Sequence, residues 1–198
     1  MSTIARLKIT LADIEPRVTR RVEVPFDIRL DRLHLAVQAA MGWTNSHLHE
    51  FRLRGLRWGA PNRYDSGGLL DARKARLIDL IKSTGTKKLD YTYDFGDDWR
   101  HEVKVERIET AAPGTAYPRL LDATGRCPPE DVGGYPGYMD MLDAKADPAH
   151  PRRAELEDWI DLDAFDPNVA DKPALERAVN ALAKRWARKP AVRKTSSH

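Results

Sequence analysis

The chain has 198 residues, 41% of them hydrophobic and 8% aromatic, enough to build one packed domain and too much for extended disorder. Its apolar runs fall far short of the roughly 20 residues a membrane helix needs, so no membrane association is expected. The net charge of +3 hides an asymmetry: residues 1–121 carry net +5, residues 122–171 net −9 and residues 172–198 net +7, which excludes a nucleic-acid argument from overall basicity.

Residues 4–12 alternate Leu7, Ile9 and Leu11 against Arg6, Lys8 and Thr10, the pattern of a half-buried strand. Asp13-Ile-Glu-Pro-Arg17 breaks it, and Val18 to Val24 alternates again, which predicts an antiparallel hairpin ended by Pro25. Asp31 is placed to cap a helix whose Leu33, Val37, Ala40 and Met41 recur at helical spacing before Gly42 stops it. Residues 47–58 read as a third strand, with His49, Phe51 and Leu53 on one face, and the turn-rich stretch 59–75 as a loop. Leu77–Ile81 is a short apolar element of undecided type. Leu89, Tyr91, Tyr93 and Phe95 form one face of a fourth strand; Trp99, His101, Val103 and Val105 form one face of a fifth. Residues 113–137, with five prolines and five glycines, read as an ordered loop. Short helices are expected at about 138–145 and 152–160. Asp171 caps a last helix over 171–187, which turns Leu175, Val179, Leu182 and Trp186 to the body, and 188–198 is a basic tail expected to be disordered.

These elements predict an α+β fold: a mainly antiparallel sheet of about five strands, helices packed on one face, and a C-terminal helical segment. Residues 1–170 form the domain. The opening Met1-Ser-Thr-Ile-Ala-Arg lacks the charged-then-apolar order of a signal peptide, and one cysteine, Cys127, excludes an internal disulfide framework, so a cytoplasmic location is expected.

Asp94-Phe-Gly-Asp-Asp-Trp99 crowds three carboxylates around one glycine. They repel one another unless a cation or hydrogen-bond donors compensate. One expectation is a divalent metal or cationic ligand held by Asp94, Asp97 and Asp98, with His101 as a further ligand or proton carrier. The plainer alternative makes the aspartates turn caps and His101 a half-buried strand residue. His47 and His49, two apart on an expected strand, place both rings on one face, an arrangement metals use. Glu130 and Asp131 extend the acidic surface, either by meeting the 94–98 turn or by capping the helix near Tyr138.

Known motifs fit poorly. Asp94-Phe-Gly lacks the glycine-rich loop and His-Arg-Asp of a kinase, and Cys127-Pro-Pro-Glu-Asp131 lacks the second cysteine of a zinc deaminase. Cys127 itself reads either as a nucleophile without an identifiable orienting partner or as a small buried hydrophobe. Lys184, Arg185, Arg188, Lys189, Arg193 and Lys194 could meet nucleic-acid phosphates or simply end a solvated helix. Trp43, Trp58 and Trp99 could anchor a protein partner or fill the core.

At Asp13-Ile-Glu-Pro, Val24-Pro, His34 to Trp43, His47-Leu-His-Glu-Phe51, Tyr93-Asp-Phe-Gly-Asp-Asp-Trp-Arg-His101 and Cys127-Pro-Pro-Glu-Asp-Val-Gly-Gly134, the chain resembles the plasmid pRiA4b ORF-3-like family over about residues 4–165. The resemblance implies an α+β domain of plasmid or insertion-element context. The resolvase-like label some members carry is not supported here. A serine recombinase needs an activated serine with nearby arginines, whereas Ser2 stands alone and Arg20-Arg21 lie in a strand. The motif residues therefore imply a shared site or fold signature and no catalytic roles. The expectation is a non-enzymatic binding or accessory protein of mobile-element origin for nucleic acid or a protein partner, with a metal-dependent enzyme or a metal- or small-ligand-binding protein using the Asp94–His101 acidic cluster as the alternative.

Overall fold

The computed structural model describes residues 2–61 and 68–187. Strands β1 (Thr3–Leu11) and β2 (Thr19–Pro25) form the expected antiparallel hairpin, with Leu7 opposite Val22 and Ile9 opposite Arg20. Helix α1 (Leu30–Met41) follows. Asp31 does not cap it: the N-cap position is Arg29, and the Asp31 carboxylate is taken by the Arg29 guanidinium at 2.7 Å. Gly42, left-handed at φ 91°, ends the helix as its position predicts.

The stretch expected as one strand over 47–58 is a hairpin, β3 (His49–Leu53) and β4 (Leu56–Gly59). Arg54 and Gly55 both have positive φ, 48° and 82°, the backbone a two-residue hairpin turn requires. β5 (Leu69–Asp71) lies within the expected loop and pairs parallel to β4. Leu77 begins a helix, α2 (Leu77–Thr84). β6 (Lys88–Tyr93) and β7 (Trp99–Thr110) come next, and Phe95 falls in the turn between them, exposed rather than on a strand face. β8 (Arg119–Thr124) occupies part of the proline- and glycine-rich stretch expected as loop. It pairs with β2, whose outer edge would otherwise leave backbone groups unpaired. Helices α3 (Gly134–Ala146), α4 (Arg153–Glu157) and α5 (Lys172–Ala187) complete the described residues.

Among the described residues the sheet thus has eight strands rather than five, in the order β5-β4-β3-β6-β7-β1-β2-β8, and is antiparallel except for the β4–β5 pair. Its inner face carries Leu7, Ile9, Phe51, Tyr91, Val103 and Val105, all buried with Leu33, Val37 and Ala40 of α1 in one continuous core. Trp43, Trp58 and Trp99 are buried in that core and present no exposed anchor. Helix α5 packs on α1 and β8, with Leu175, Val179 and Ala183 buried. Asp171 caps its start, accepting the Ala174 amide at 3.0 Å. Among the described residues no helix is long and apolar enough to cross a membrane.

Candidate metal centre

Two turns and one loop meet at the end of β3 and β6. The loop is Thr44–Leu48, between α1 and β3. Two side chains hold it: the Tyr93 hydroxyl accepts the Ser46 and His47 amides at 3.0 and 3.3 Å and donates to Glu130, while Glu130 accepts the Thr44 amide at 2.8 Å and the Thr44 hydroxyl. Burial alone would raise the Glu130 carboxyl; the hydrogen bonds from Thr44 and Tyr93 outweigh it and hold the group below its ordinary value. Glu130 is therefore a clamp for the histidine loop.

Asp94 sits at the start of the 94–98 turn with φ 55°, and its Oδ1 accepts the Gly96 amide at 2.9 Å. That is the turn-cap role, but it uses only one oxygen. Oδ2 lies 3.6 Å from His47 Nε2. On the other side, Asp131 (φ 59°) brings Oδ1 to 3.0 Å from the same nitrogen. His47 Nε2 is itself shielded from solvent and makes no hydrogen bond of acceptable geometry. One donor atom from each of His47, Asp94 and Asp131 lies within 4.8 Å of the others. Ligands about 2.0–2.1 Å from a tetrahedral ion stand roughly 3.3 Å apart, and the two nitrogen–oxygen separations bracket that spacing.

The second acidic loop is docked onto the first by close backbone approach. Asp97 Oδ2 accepts the Gly133 amide at 3.3 Å, and Gly134 lies so near that a Cβ there would stand 2.6 Å from the Asp97 carbonyl oxygen. Gly134 is also at φ 65°. Asp97 thus positions the Asp131 loop and contributes no ligand to the cluster. Asp98 turns outward to Arg100 at 3.3 Å.

His101 and His49 go elsewhere. His101 is buried in the core, with Nδ1 3.3 Å from the Tyr91 carbonyl and its ring edge-on to Trp43, and burial pulls its pKa down to about 4. It is a neutral core group outside the cluster. His47 precedes the strand rather than lying on it, so the pair does not share a face. His49, at the head of β3, stacks flat on His34 of α1 at 3.4 Å and is pulled down to about 3, mainly by burial. His34 bonds the Tyr91 hydroxyl at 2.7 Å, which also accepts from Gln38 at 3.0 Å. The sequence reading missed this network, although the i, i+4 spacing of His34 and Gln38 on one apolar helix face marks it. Cys127 is not an activated nucleophile, since burial pushes its thiol up to about 12. Of the six basic C-terminal residues, Lys184 and Arg185 are exposed on the last turn of α5; Arg188, Lys189, Arg193 and Lys194 lie outside the described residues.

Fold and site together define a class: an α+β protein with an eight-stranded mixed sheet and a His/Asp/Asp cluster at one end of its central strands. Within that class, the chain belongs to the plasmid pRiA4b ORF-3-like family, which it matches over residues 3–174. It is 51% identical over 195 residues to the uncharacterized protein y4hQ of Sinorhizobium fredii (strain NBRC 101917 / NGR234), covering 98% of this chain and 100% of that one. It also resembles the crystal structure of MM3350, a protein of unknown function from Methanosarcina mazei Go1, at 34% identity and a TM-score of 0.79, covering 88% of this chain and 97% of that one.

Proposed function

We propose that the protein binds a divalent cation through His47 Nε2, Asp94 Oδ2 and Asp131 Oδ1. The observation that carries the reading is the convergence of these three donors, from three separate segments, around a shielded imidazole nitrogen that has no hydrogen bond. One imidazole with two carboxylates suits zinc or manganese better than a soft, thiolate-seeking ion. Three protein ligands leave coordination positions open, the pattern of sites that take a water or an oxygen of a bound partner rather than of closed structural sites. Asp131 is the adjustable member, since its side chain is 72% exposed.

Calorimetric titration of the chelator-stripped chain with Zn²⁺ and Mn²⁺ tests this. One ion per chain is expected, with binding saturating at that ratio. Asp131→Asn should weaken binding by about tenfold or more while leaving the melting temperature within a degree or two. Unchanged binding in both Asp131→Asn and His47→Ala would sink the assignment.

The second reading, a mobile-element accessory protein that engages nucleic acid through its C-terminus, is supported by the exposure of Lys184 and Arg185 at the head of the basic run. Binding to DNA and RNA across a salt series, compared with a chain ending at Ala183, tests it. Tight binding that weakens steeply with salt and needs the C-terminus is expected. Equal binding by both forms would remove it.

A further inference from the structure

Arg20 is 1% exposed and has no carboxylate partner among the described residues. Its Nε donates to the Ala40 carbonyl at 2.7 Å, and its Nη1 donates to the carbonyls of Thr19, Thr124 and Gly125 at 2.8, 2.8 and 3.1 Å. Nη2 donates to nothing among the described residues, yet it is not sealed from solvent. Arg20 lines a cavity of about 350 Å³ between the end of α1, the 126–130 loop and the start of α5. Carbonyl dipoles fix the guanidinium but do not neutralise it, and a buried charge is ordinarily paired. Burial also pulls this guanidinium below the ordinary arginine range.

The rest of the cavity is suited to an apolar body. Trp43, Phe165 and Leu175 form walls, and Arg126 adds a second guanidinium, stacked over the Phe165 ring at 4.7 Å. Two carboxylates also line the cavity, and both are committed. Glu130 is held by Thr44 and Tyr93, and Asp171 accepts the Ala174 amide. The two cations and two acids of the lining cancel, so one carboxylate set against Arg20 is tolerated better than the two charges of a phosphate.

We propose that this cavity binds a small organic monocarboxylate, its carboxylate accepting from Arg20 Nη2 and its apolar body lying against Trp43, Phe165 and Leu175. The site shares no ligand residue with the cation cluster, although Glu130 borders both, and it stands whether or not that cluster binds metal. The volume falls in the range of small-ligand pockets, and a buried arginine with an open N–H edge supplies the oriented polar contact such pockets use.

The test uses the full chain in chelator, so that no carboxylate can report through a bound metal. The probes are benzoate, its neutral counterpart benzamide, and inorganic phosphate, followed by calorimetry and thermal shift. Benzoate should bind saturably, benzamide about tenfold or more weaker, and phosphate no better than benzamide. Ala174→Phe, which fills the cavity from α5 without touching the Arg20 bonds, should abolish benzoate binding. Should that variant fail to fold, the wild-type chain still decides: Trp43 walls the cavity, so benzoate but not benzamide should change the tryptophan fluorescence saturably. Failure of benzoate to bind, equal binding of benzamide, a preference for phosphate, or undiminished binding in folded Ala174→Phe would each overturn the proposal.

Discussion

Three histidines, His34 and His101 in the core and the half-buried His49 stacked on His34, are held neutral by burial, with pKa values pulled to about 4, 4 and 3. Unfolding returns each to an ordinary value near 6.5. Above that pH neither state binds the extra protons and the full stability is present. Between about pH 6.5 and 4 the unfolded chain takes up protons the native chain refuses, so stability falls as pH falls, by up to about 1.4 kcal/mol per pH unit for each group. Glu130, held below its ordinary value in the fold, loses its contribution in the same direction at lower pH. Urea unfolding at pH 7.5, 6 and 5 should show this steep decline, and His101→Gln should flatten it by about one proton even though it lowers stability at pH 7.5. An unchanged slope in that variant would mean His101 titrates normally in the fold. The comparison belongs in chelator, which removes any contribution from bound metal.

The two acidic segments differ from ordinary surface turns because one element depends on the other's backbone. The 94–98 turn closes the β6–β7 hairpin, with the Asp98 amide donating to the Asp94 carbonyl at 2.7 Å, and the Asp131 loop rests on it through Gly134. Gly134→Ala would place a methyl carbon against the Asp97 carbonyl, in a backbone region that disfavours side chains. A loss of about 1–3 kcal/mol is expected, with cation affinity falling further than in a variant of equal stability whose change lies elsewhere in the core. If Gly134→Ala binds metal like wild type, the docking of the two loops does not set the ligand geometry. The sequence made the acidic turn, Asp131 and His47 visible as candidates, because three carboxylates crowd one glycine and the chain has only six imidazoles. It could not sort them. Asp97 and Asp98 look the same as Asp94 in the sequence, and only the backbone sends one to a glycine amide, one to Arg100 and one to the histidine. His101 shares the face of Trp99, as expected, but that face is the core. Strand count was underestimated for a related reason. β4, β5 and β8 are short and carry little alternation of their own, so pairing partners rather than local pattern determine them.

At the scale of the molecule, charge is segregated by element: the net −9 of residues 122–171 is bracketed by basic segments, and α5 joins the two regimes. That helix could have been a helical appendage on the domain. Its packing argues that it belongs to the body, because Val179 is fully buried, Leu175 meets the α1 terminus at Gly42, and Arg32 of α1 lies over the Trp186 ring at 5.3 Å. The family match, ending at residue 174, reaches only its first turn. Val179→Asp would bury an unpaired carboxylate beneath the helix. A loss of about 3 kcal/mol or more is expected in a single cooperative unfolding transition, followed in parallel by near-ultraviolet circular dichroism and tryptophan fluorescence. A helix that merely leaned on the domain would give a different result, an early minor transition confined to α5 with the main melt unmoved. One shifted transition would make α5 part of the same cooperative unit as the sheet. The wall it supplies to the Arg20 cavity would then be as permanent as the β2 strand that carries Arg20.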